Sequence, residues 1–300
     1  MEKFERKHLI TEKQNINSLD IDSKSILEIL DIINREDTSV AFKVKEIIPQ
    51  IAAAVEITCA AISQGRRIVY MGAGTSGRLG VLDASEIPPT FSAPPDWFNG
   101  IIAGGDKALR QSIEGAEDKQ YQSRADLEDF GLKSGDTVIG ISTSGAAAYV
   151  RTGLEYGKSV GAKTIYLICN PRPFLEVNAD VTISVNVGPE VITGSTRLKA
   201  GTATKMVLNM ISTATMIRLG KVYGNLMIDL MAVNAKLIDR GARIIAKLTG
   251  LSDKEAQKKL KDADMSVKLA VVMIKCNCSK SEALEKLSRA GGFLRKITGF

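Results

Sequence analysis

The chain has 300 residues, of which 44% are hydrophobic and 25% are charged. This composition is typical of a globular protein with room for one large α/β domain or two smaller ones. It contains one histidine, His8, and four cysteines, which excludes a disulfide framework, a zinc site built from histidines and any catalytic triad that does not use His8. An enzyme of this composition has to move protons with carboxylates, lysines or hydroxyl groups.

The net charge of +6 is concentrated at the C-terminal end. Residues 240–300 carry 14 basic and 6 acidic residues, net +8, whereas residues 1–239 carry 26 and 28, net −2. The excess is typical of solvated helix faces, so neither nucleic acid nor a membrane is expected as a partner. No run approaches the ~20 apolar residues of a membrane span, and the first residues lack an apolar leader core, so a reduced, cytoplasmic protein is expected.

Helical periodicity is predicted near the start of the chain. Between residues 20 and 64, apolar residues recur at three- and four-residue spacing. Ser23 is suited to cap the first helix, and Pro49 lies within the second apolar run. Residues 1–44 are therefore expected to form an N-terminal helical segment.

Strands and helices alternate over residues 45–239, which are expected to form the main domain. The strand candidates are mostly apolar throughout, which is typical of a parallel sheet covered on both faces. The predicted fold class is α/β, with a doubly wound, mainly parallel sheet in an α-β-α sandwich. The predicted strands are Arg67–Met71, Trp97–Ile102, Asp136–Ile141, Thr164–Ile168 and Val181–Val185.

The last part of the chain returns to a helical pattern from about Ala200. Residues 240–300 are predicted to form a small basic helical bundle. Ser252 and Ser279 are suited to cap helices in it, and Gly291-Gly292 to end one.

Two loops rich in glycine and hydroxyl groups follow predicted strands. They are Gly72–Gly77, with the sequence GAGTSG, and Ser142–Gly145, with the sequence STSG. In a doubly wound sheet both lie at the carboxyl edge, where ligands bind. Backbone N–H groups at a helix N-terminus, together with hydroxyls, are suited to an anion.

The first loop also matches the G-x-G-x-x-G pattern of dinucleotide-binding folds. That interpretation requires an acidic residue about 20 positions further on, at the end of the second strand. The chain has Pro88-Pro89 in this region and reaches Asp106 only after Gly104-Gly105. The pair of loops therefore favours a phosphomonoester over a dinucleotide, and no cofactor is expected. Two ordinary βα turns without a ligand remain the alternative.

Two glutamates are candidates for proton transfer. Glu86 lies where the helix after the first loop is predicted to end, just before Pro88-Pro89, and Glu117 lies in an acidic segment. Taken alone, such side chains are more often charges that face solvent.

A long stretch then carries a resemblance to a known family. Residues Tyr70–Thr90, YMGAGTSGRLGVLDASEIPPT, resemble the signature of the N-acetylmuramic acid 6-phosphate etherases, members of the sugar isomerase (SIS) superfamily, and the similarity extends from about Leu9 to the C-terminus. Shorter segments that also resemble this family are Ile102–Gly105, Glu114–Asp118, Thr193–Thr202 and Gly220–Met227.

The resemblance implies a carbon–oxygen lyase, acting as a homodimer in bacterial cell-wall recycling. Its substrate would be N-acetylmuramic acid 6-phosphate, and its products N-acetylglucosamine 6-phosphate and D-lactate. The family assigns Glu86 as the acid toward the departing lactate and Glu117 as the base at C2, with no metal. By the same resemblance, the substrate-binding residues are Gly74, Thr75, Ser76, Ser142, Ser144, Gly145 and Lys199.

One departure from the family lies in the second loop. Where these etherases usually have Arg-Thr-Pro, this chain has Ala146-Ala-Ala148. Losing a charged or hydroxyl contact costs about 1–3 kcal/mol of binding. Either Lys199, Arg197 or Arg151 compensates, the substrate differs, or phosphate is held weakly.

A second function stays open at this point. The same superfamily contains regulators that sense a sugar phosphate, and the basic C-terminal helices would suit a partner surface. The three alanines favour a regulator, whereas the presence of both Glu86 and Glu117 favours catalysis. A dehydrogenase is the third and weakest alternative.

Overall fold

A computed structural model describes residues 5–230 and 232–299. Short 3₁₀ turns lie at Arg6–His8, Ile10–Glu12, Ile16–Ser18, Ile21–Ser23 and Ala116–Asp118. The strands are β1 (Ile68–Gly72), β2 (Phe98–Ile102), β3 (Thr137–Ile141), β4 (Lys163–Ile168) and β5 (Val181–Ser184). The helices are α1 (Ile26–Glu46), α2 (Ile48–Ser63), α3 (Gly74–Phe91), α4 (Lys107–Arg110), α5 (Gln120–Asp129), α6 (Ala148–Ser159), α7 (Lys199–Arg218), α8 (Ala235–Thr249), α9 (Asp253–Asp262), α10 (Val267–Lys275), α11 (Lys280–Arg289) and α12 (Leu294–Thr298).

The five strands form one parallel sheet in the order β2-β1-β3-β4-β5. The predicted strands and the α/β fold class are confirmed, with each strand end within one residue of its predicted position. Gly72 of β1 is in register with Ile102 of β2 and with Ile141 of β3. The loops after these three strands therefore start side by side, at the point where the strand order reverses and ligands bind in doubly wound folds.

The first long helix begins later than predicted. Ser25, not Ser23, caps α1: its hydroxyl accepts from the N–H of Glu28 at 3.4 Å, and the Glu28 carboxylate accepts from the N–H of Ser25 at 2.8 Å. Ser23 instead ends a 3₁₀ turn and donates its hydroxyl to the carbonyl of Asp20. The reciprocal capping box of Ser25 and Glu28 satisfies two groups that Ser23 would leave open.

Helix α3 extends further than predicted. The Pro88-Pro89 pair was expected to end it, yet the helix continues to Phe91. Each proline removes one intrahelical hydrogen bond, but both lie in the last turn, so the body of the helix is unaffected. Glu86 is therefore within α3, not at its end.

A charged staple joins the N-terminal ends of β1 and β3. The Asp136 carboxylate accepts from the backbone N–H of Arg67 at 2.9 Å and from its guanidinium at 2.8 Å. The same guanidinium lies 4.2 Å from the centre of the Phe130 ring. Asp136 is only 2% exposed, so this staple fixes the alignment of the two central strands from inside the protein.

The chain forms two compact units. One contains the residues up to Ser85 together with Asp96–Ser212, and the other contains Glu86–Pro95 together with the residues from Thr213 onward. The segments expected from the sequence, 1–44, 45–239 and 240–300, divide the chain differently, because α1 belongs to the first unit and the second begins before α8.

The second unit is built around a small helical bundle. Its interior includes Ile245, Leu260 and Val272, each with no exposed surface. Ser252 and Ser279 cap α9 and α11 as predicted, each accepting from the N–H three residues on and paired with a glutamate at that position.

One buried cation joins α10 to the segment that precedes α8. The Lys268 ammonium donates to the Asp229 carboxylate at 2.6 Å and to the carbonyl of Gly220 at 3.0 Å. Burial lowers the pKa of Lys268, although the charge of Asp229 opposes this shift.

Within the described residues, no single helix is long and apolar enough to cross a membrane. The bent pair α1 and α2 passes the same length and composition test only when the two are taken together.

Replacing Asp229 by Ala is expected to lower the free energy of unfolding by about 3 kcal/mol, because the Lys268 ammonium is left buried without its partner. Urea unfolding of the whole chain measures this change. The exposed pair Asp239–Arg243 of α8 supplies the control: Asp239→Ala is expected to cost less than about 1 kcal/mol. Equal losses in the two variants would show that Lys268 does not need its carboxylate.

Candidate active site

The loop after β1 brings the first turn of α3 onto the edge of the sheet. Gly74 has φ +54, a conformation that favours glycine. A Cβ at Gly77 would lie 2.6 Å from both the carbonyl oxygen of Gly72 and Cγ1 of Ile102. Only glycine allows this approach, so the N–H groups of the first turn of α3 lie at the ends of β1 and β2.

A cleft of about 210 Å³ opens between this first turn and the segment that follows β2. It brings together Gly74 and Glu117, two of the residues predicted from the sequence. The polar and glycine residues that line it are Gly74, Arg78, Ser112, Glu114, Gly115 and Glu117.

Glu117 is presented by a short 3₁₀ turn. Gly115, with φ +69, starts this turn, and Ala116 anchors it because only 5% of that residue is exposed. Glu117 is itself exposed, while the carboxylate of Glu114 accepts a hydrogen bond from the Ser112 hydroxyl at 2.7 Å. The turn and the residue before Gly115 thus bring two carboxylates to one cleft, and Glu117 accepts no hydrogen bond from any described residue.

Arg78 is a residue of this cleft that sequence reasoning missed. Its Nε donates to the carbonyl of Leu109 at 3.1 Å, and its Nη2 donates to the carbonyl of Gln111 at 3.0 Å. Arg78 therefore ties the segment that leads to Glu117 to the first turn of α3. It lies inside the etherase-like stretch, but one arginine near a helix start has no spacing pattern that would have singled it out.

The loop after β3 is shaped to present backbone N–H groups. The buried Ser142 hydroxyl accepts from the N–H of Ala147 at 3.2 Å, and the N–H of Gly145 donates to the carbonyl of Ser142 at 2.9 Å. The N–H groups of Thr143, Ser144 and Ala146 have no acceptor in the part of the chain that the structure describes. These donors lie at the N-terminus of α6, which is a favourable position for an anion.

The two loops approach each other across the strand ends. The Ser76 hydroxyl lies 3.5 Å from the Thr143 hydroxyl, a distance at the limit of a hydrogen bond. Thr75 follows Gly74 in the first turn of α3, and a Cβ at Gly201 would lie 3.6 Å from its Cγ2, so α7 borders the same region. Gly74, Thr75 and Ser76 thus form one side of the edge, and the second loop the other.

The alanines of the second loop do not provide a charged contact. Ala147, at the position of the family's threonine, is 6% exposed and packs in the apolar cluster beneath the loop. Of the cations named as compensating for the alanines, Arg151 pairs with Glu155 on the exposed face of α6 at 2.8 Å. The donors toward a bound anion are therefore mainly backbone groups.

A larger cavity, of about 370 Å³, lies elsewhere in the same unit. Its lining includes His8, Lys13 and Arg172 but no carboxylate and no residue predicted for the site. Because the predicted chemistry needs a carboxylate, the smaller cleft beside Glu117 is the better candidate. Among the described residues, no group of three or more His, Cys, Asp or Glu side chains is placed to hold a metal ion.

Comparison with known proteins shows which family the chain resembles. Residues 50–158 match the model of the glucokinase regulatory protein N-terminal SIS domain, and residues 128–214 match the SIS domain model. A protein from Rhizobium rhizogenes called N-acetylmuramic acid 6-phosphate etherase is 52% identical over 97% of this chain and 95% of its own length. Similarly named proteins from Mycolicibacterium smegmatis and Vibrio parahaemolyticus are 46% and 48% identical, and each is covered over 98% of its length.

The chain belongs to the N-acetylmuramic acid 6-phosphate etherase family. This confirms the family resemblance and the prediction that the protein is an enzyme, a carbon–oxygen lyase. The SIS matches, which together span both loops, confirm the kind of domain that was predicted.

Lys199, the remaining predicted ligand, is engaged elsewhere in this member of the etherase family. It is 2% exposed, and its ammonium pairs with the Glu36 carboxylate at 2.5 Å. Glu36 also accepts from the side chains of Asn15 and Asn17 at 2.7 and 2.8 Å. Lys199 is not among the residues that line the cleft, so its role in binding substrate stays a prediction.

The start of α7, which carries Lys199, is held by a second buried acid. The Glu190 carboxylate, which has no exposed surface, accepts from the backbone N–H groups of Lys199 and Ala200 at 2.9 and 3.0 Å. Burial raises the pKa of Glu190, and these two hydrogen bonds and the charge of Lys199 only partly offset the rise.

Glu86 is exposed and lies on α3 three turns after Gly74. Twelve residues at 1.5 Å each correspond to about 18 Å along the helix axis. The structure therefore brings Gly74 and Glu117 together in one cleft, whereas Glu86 is carried along α3 away from the first turn.

The buried pair of Lys199 and Glu36 predicts an acid-sensitive stability. Burial alone raises the pKa of Glu36, but the hydrogen bonds from Lys199, Asn17 and Asn15 and the charge of Lys199 lower it below its ordinary value of 4.5. Because its pKa is lowered on folding, the charged Glu36 stabilises the fold above pH 4.5. This stabilisation is lost as the pH falls through the pKa that Glu36 has in the folded protein.

Replacing Lys199 by Met is expected to lower the free energy of unfolding at pH 7 by about 3 kcal/mol and to flatten its dependence on pH below 5, because Glu36 loses its cation. Urea titrations between pH 3 and 7 measure both effects. Lys43→Met, which breaks an exposed pair with Glu46, serves as the control and should leave the pH dependence as it is in the wild type. An unchanged acid dependence in Lys199→Met would contradict the prediction.

Proposed function

We propose that the protein cleaves the D-lactyl ether of N-acetylmuramic acid 6-phosphate in the cytoplasm, giving N-acetylglucosamine 6-phosphate and D-lactate for cell-wall recycling. Membership of the etherase family over almost the whole chain is the observation that carries this proposal. The cleft that joins Gly74 and Glu117 supports it, because the expected base and the expected sugar-binding loop share one space.

The reaction is an elimination followed by addition of water. In the open-chain sugar, the C2 hydrogen is acidic because it lies next to the aldehyde carbon. Glu117 removes this proton, the electron pair forms the C2–C3 double bond, and the C3–oxygen bond to the lactyl group breaks. Glu86 donates a proton to the departing lactate oxygen. Water then adds at C3 and a proton returns to C2. As a general acid or base, each carboxyl group is expected to raise the rate ~10²–10⁴-fold.

The phosphate is proposed to bind at the N-terminus of α6. Ser142 shapes this loop, and the backbone N–H groups of Thr143, Ser144 and Ala146 supply donors that need no cation. Gly145 is required there, because it has φ +70 and a Cβ would lie 2.5 Å from Cα of Pro173. The N-terminus of α6, through the phosphate, and the first turn of α3 then hold opposite ends of the sugar.

A second copy of the chain is proposed to complete the site. Helix α3 is fixed on its inner face, where the Asp83 carboxylate accepts from the Tyr70 hydroxyl at 2.9 Å and from the Ser212 hydroxyl at 3.3 Å. Leu82 and Glu86 are four residues apart and so share another face. Leu82 is 43% exposed, and Met210 of α7 is 37% exposed.

Leu82, one turn before Glu86 on the same helix, suits an isologous contact in which α3 of each chain approaches the cleft of its partner. A homodimer of this kind would supply the acid from one chain and the base from the other. The proposal accounts for the ~18 Å of helix that separates Glu86 from the first turn of its own α3.

Replacing either Glu86 or Glu117 by Gln is expected to reduce lactate release by about 10²–10⁴-fold, because each variant keeps the hydrogen-bonding shape but cannot transfer the proton. Release of D-lactate from N-acetylmuramic acid 6-phosphate is the measurement. Asp118→Asn, in the same 3₁₀ turn as Glu117, is the control and should retain wild-type activity. Unchanged release in both glutamate variants would overturn the mechanism.

Mixing the two inactive variants tests the shared site. If subunits exchange, half of the dimers are mixed and each has one intact site, so activity should recover to about a quarter of the wild-type value. No recovery, despite exchange shown by mass spectrometry, would place both glutamates in one chain. A wild-type protein that binds the sugar phosphate but releases no lactate would favour the sensing regulator, in line with its match to the regulatory-protein domain.

Replacing Ala146 by Arg is expected to lower KM about tenfold, because a guanidinium beside the loop adds a charge-assisted hydrogen bond to the phosphate. Ala146→Gln adds a polar side chain without the charge and should leave KM near the wild-type value. Adding Ala147→Thr introduces a methyl and a hydroxyl at a packed position, so this second change should lower the melting temperature. An equal fall in KM for the Arg and Gln variants would exclude a charge effect.

A further inference from the structure

The guanidinium of Arg78 has two edges, and only one is used by the protein. Nε and Nη2 form the edge that donates to the carbonyls of Leu109 and Gln111 at 3.1 and 3.0 Å. The opposite edge, formed by Nη1 and the second N–H of Nη2, has no acceptor within residues 5–230 and 232–299. A guanidinium carries five N–H donors in a rigid plane, so this free edge offers two parallel donors.

Arg78 also lines the cleft that contains Glu117. Arg78 is the one cation among the described residues that line the cleft, where it is accompanied by Glu114 and Glu117. Neither carboxylate forms an ion pair with it among the described residues, and Glu114 is held by Ser112 at 2.7 Å. Because its backbone bonds fix the plane, Arg78 reaches the cleft with its position set and its charge unpaired.

We propose that Arg78 binds the carboxylate of the D-lactyl group through its Nη1–Nη2 edge. The inference rests on the proposed function, which places the C2 proton of the sugar at Glu117. Only the ether oxygen and one carbon separate C3 from the lactyl carboxylate, so that carboxylate lies within a few bonds of the reacting carbon. Arg78 is the cation of the same cleft, and two parallel N–H donors match a carboxylate in bidentate geometry.

This assignment separates the two anions of the substrate. The phosphate is held by backbone N–H groups after β3, and the carboxylate is held by a side chain after β1. The carboxylate also needs a cation, because Glu114 and Glu117 would otherwise repel it. The sugar phosphate product has no carboxylate and does not use Arg78, so Arg78 is the residue that distinguishes substrate from product.

The test compares ligands with and without the carboxylate. In Arg78→Lys, which keeps the charge but loses the bidentate edge, KM for N-acetylmuramic acid 6-phosphate is expected to rise about 10–100-fold. The inhibition constant of N-acetylglucosamine 6-phosphate should stay within about twofold of the wild-type value, since that ligand has nothing for Arg78 to bind.

A substrate analogue in which the lactyl carboxylate is replaced by a carboxamide completes the comparison of ligands and variants. The wild-type enzyme should bind it 10–100-fold more weakly than the acid, whereas Arg78→Lys should show little difference between the two. If the inhibition constant of the product rises as much as KM, Arg78 acts only by holding Leu109 and Gln111, and the proposal is overturned. If the wild type releases lactate and Arg78→Lys keeps its KM, the assignment alone is wrong. If the wild type releases none, the proposed function fails with it.

Discussion

The candidate site depends on how closely α3 approaches the end of β1. The distance of 2.6 Å between a Cβ built at Gly77 and the Gly72 carbonyl oxygen leaves no room for any side chain. With glycine there, the first turn of α3 meets the end of β1. The register of β1 with β2 and β3 puts the loops after these three strands next to each other. Arg78, one residue later, is thereby within reach of the carbonyls of Leu109 and Gln111. The absence of a side chain at Gly77 thus places the first turn of α3, Arg78 and the segment that carries Glu117 around one cleft.

The sheet was predictable because its strands are short apolar runs bounded by charged or glycine-rich ends. The two glycine- and hydroxyl-rich loops were predictable for a similar reason, since a parallel sheet has only one edge at which they can lie. What escaped prediction depends on competition between neighbours. Ser23 and Ser25 both suit a helix cap, and only the glutamate three residues after Ser25 decides between them. Glu36, the partner of the Lys199 ammonium, lies in α1, so no local pattern reveals that this ammonium is buried against it.

The two units differ in how their charged groups are used as well as in how many they have. In the first unit, the charged groups with little exposure are used as fasteners: Asp136 aligns strands, Glu190 caps α7, and Lys199 is tied to Glu36. Glu117 differs from these groups, since it is exposed and accepts no hydrogen bond from the described residues. The basic excess lies mainly on the outer faces of the helices from α8 onward, where exposed pairs such as Arg243 with Asp239 are solvated. The sequence's overall charge therefore says little about the ligand.

The loop after β3 offers its donors from the main chain. Backbone N–H groups carry no charge that changes with pH, and they are present whatever side chain a codon specifies. A site built from them is therefore insulated against most point substitutions, provided that the path of the backbone is kept by Gly145 and Ser142. The side chain of Ala146 is then free to vary, whereas Ala147 is fixed by its packing beneath the loop. In such a loop, the path of the backbone matters more for binding than the chemical identity of the side chains.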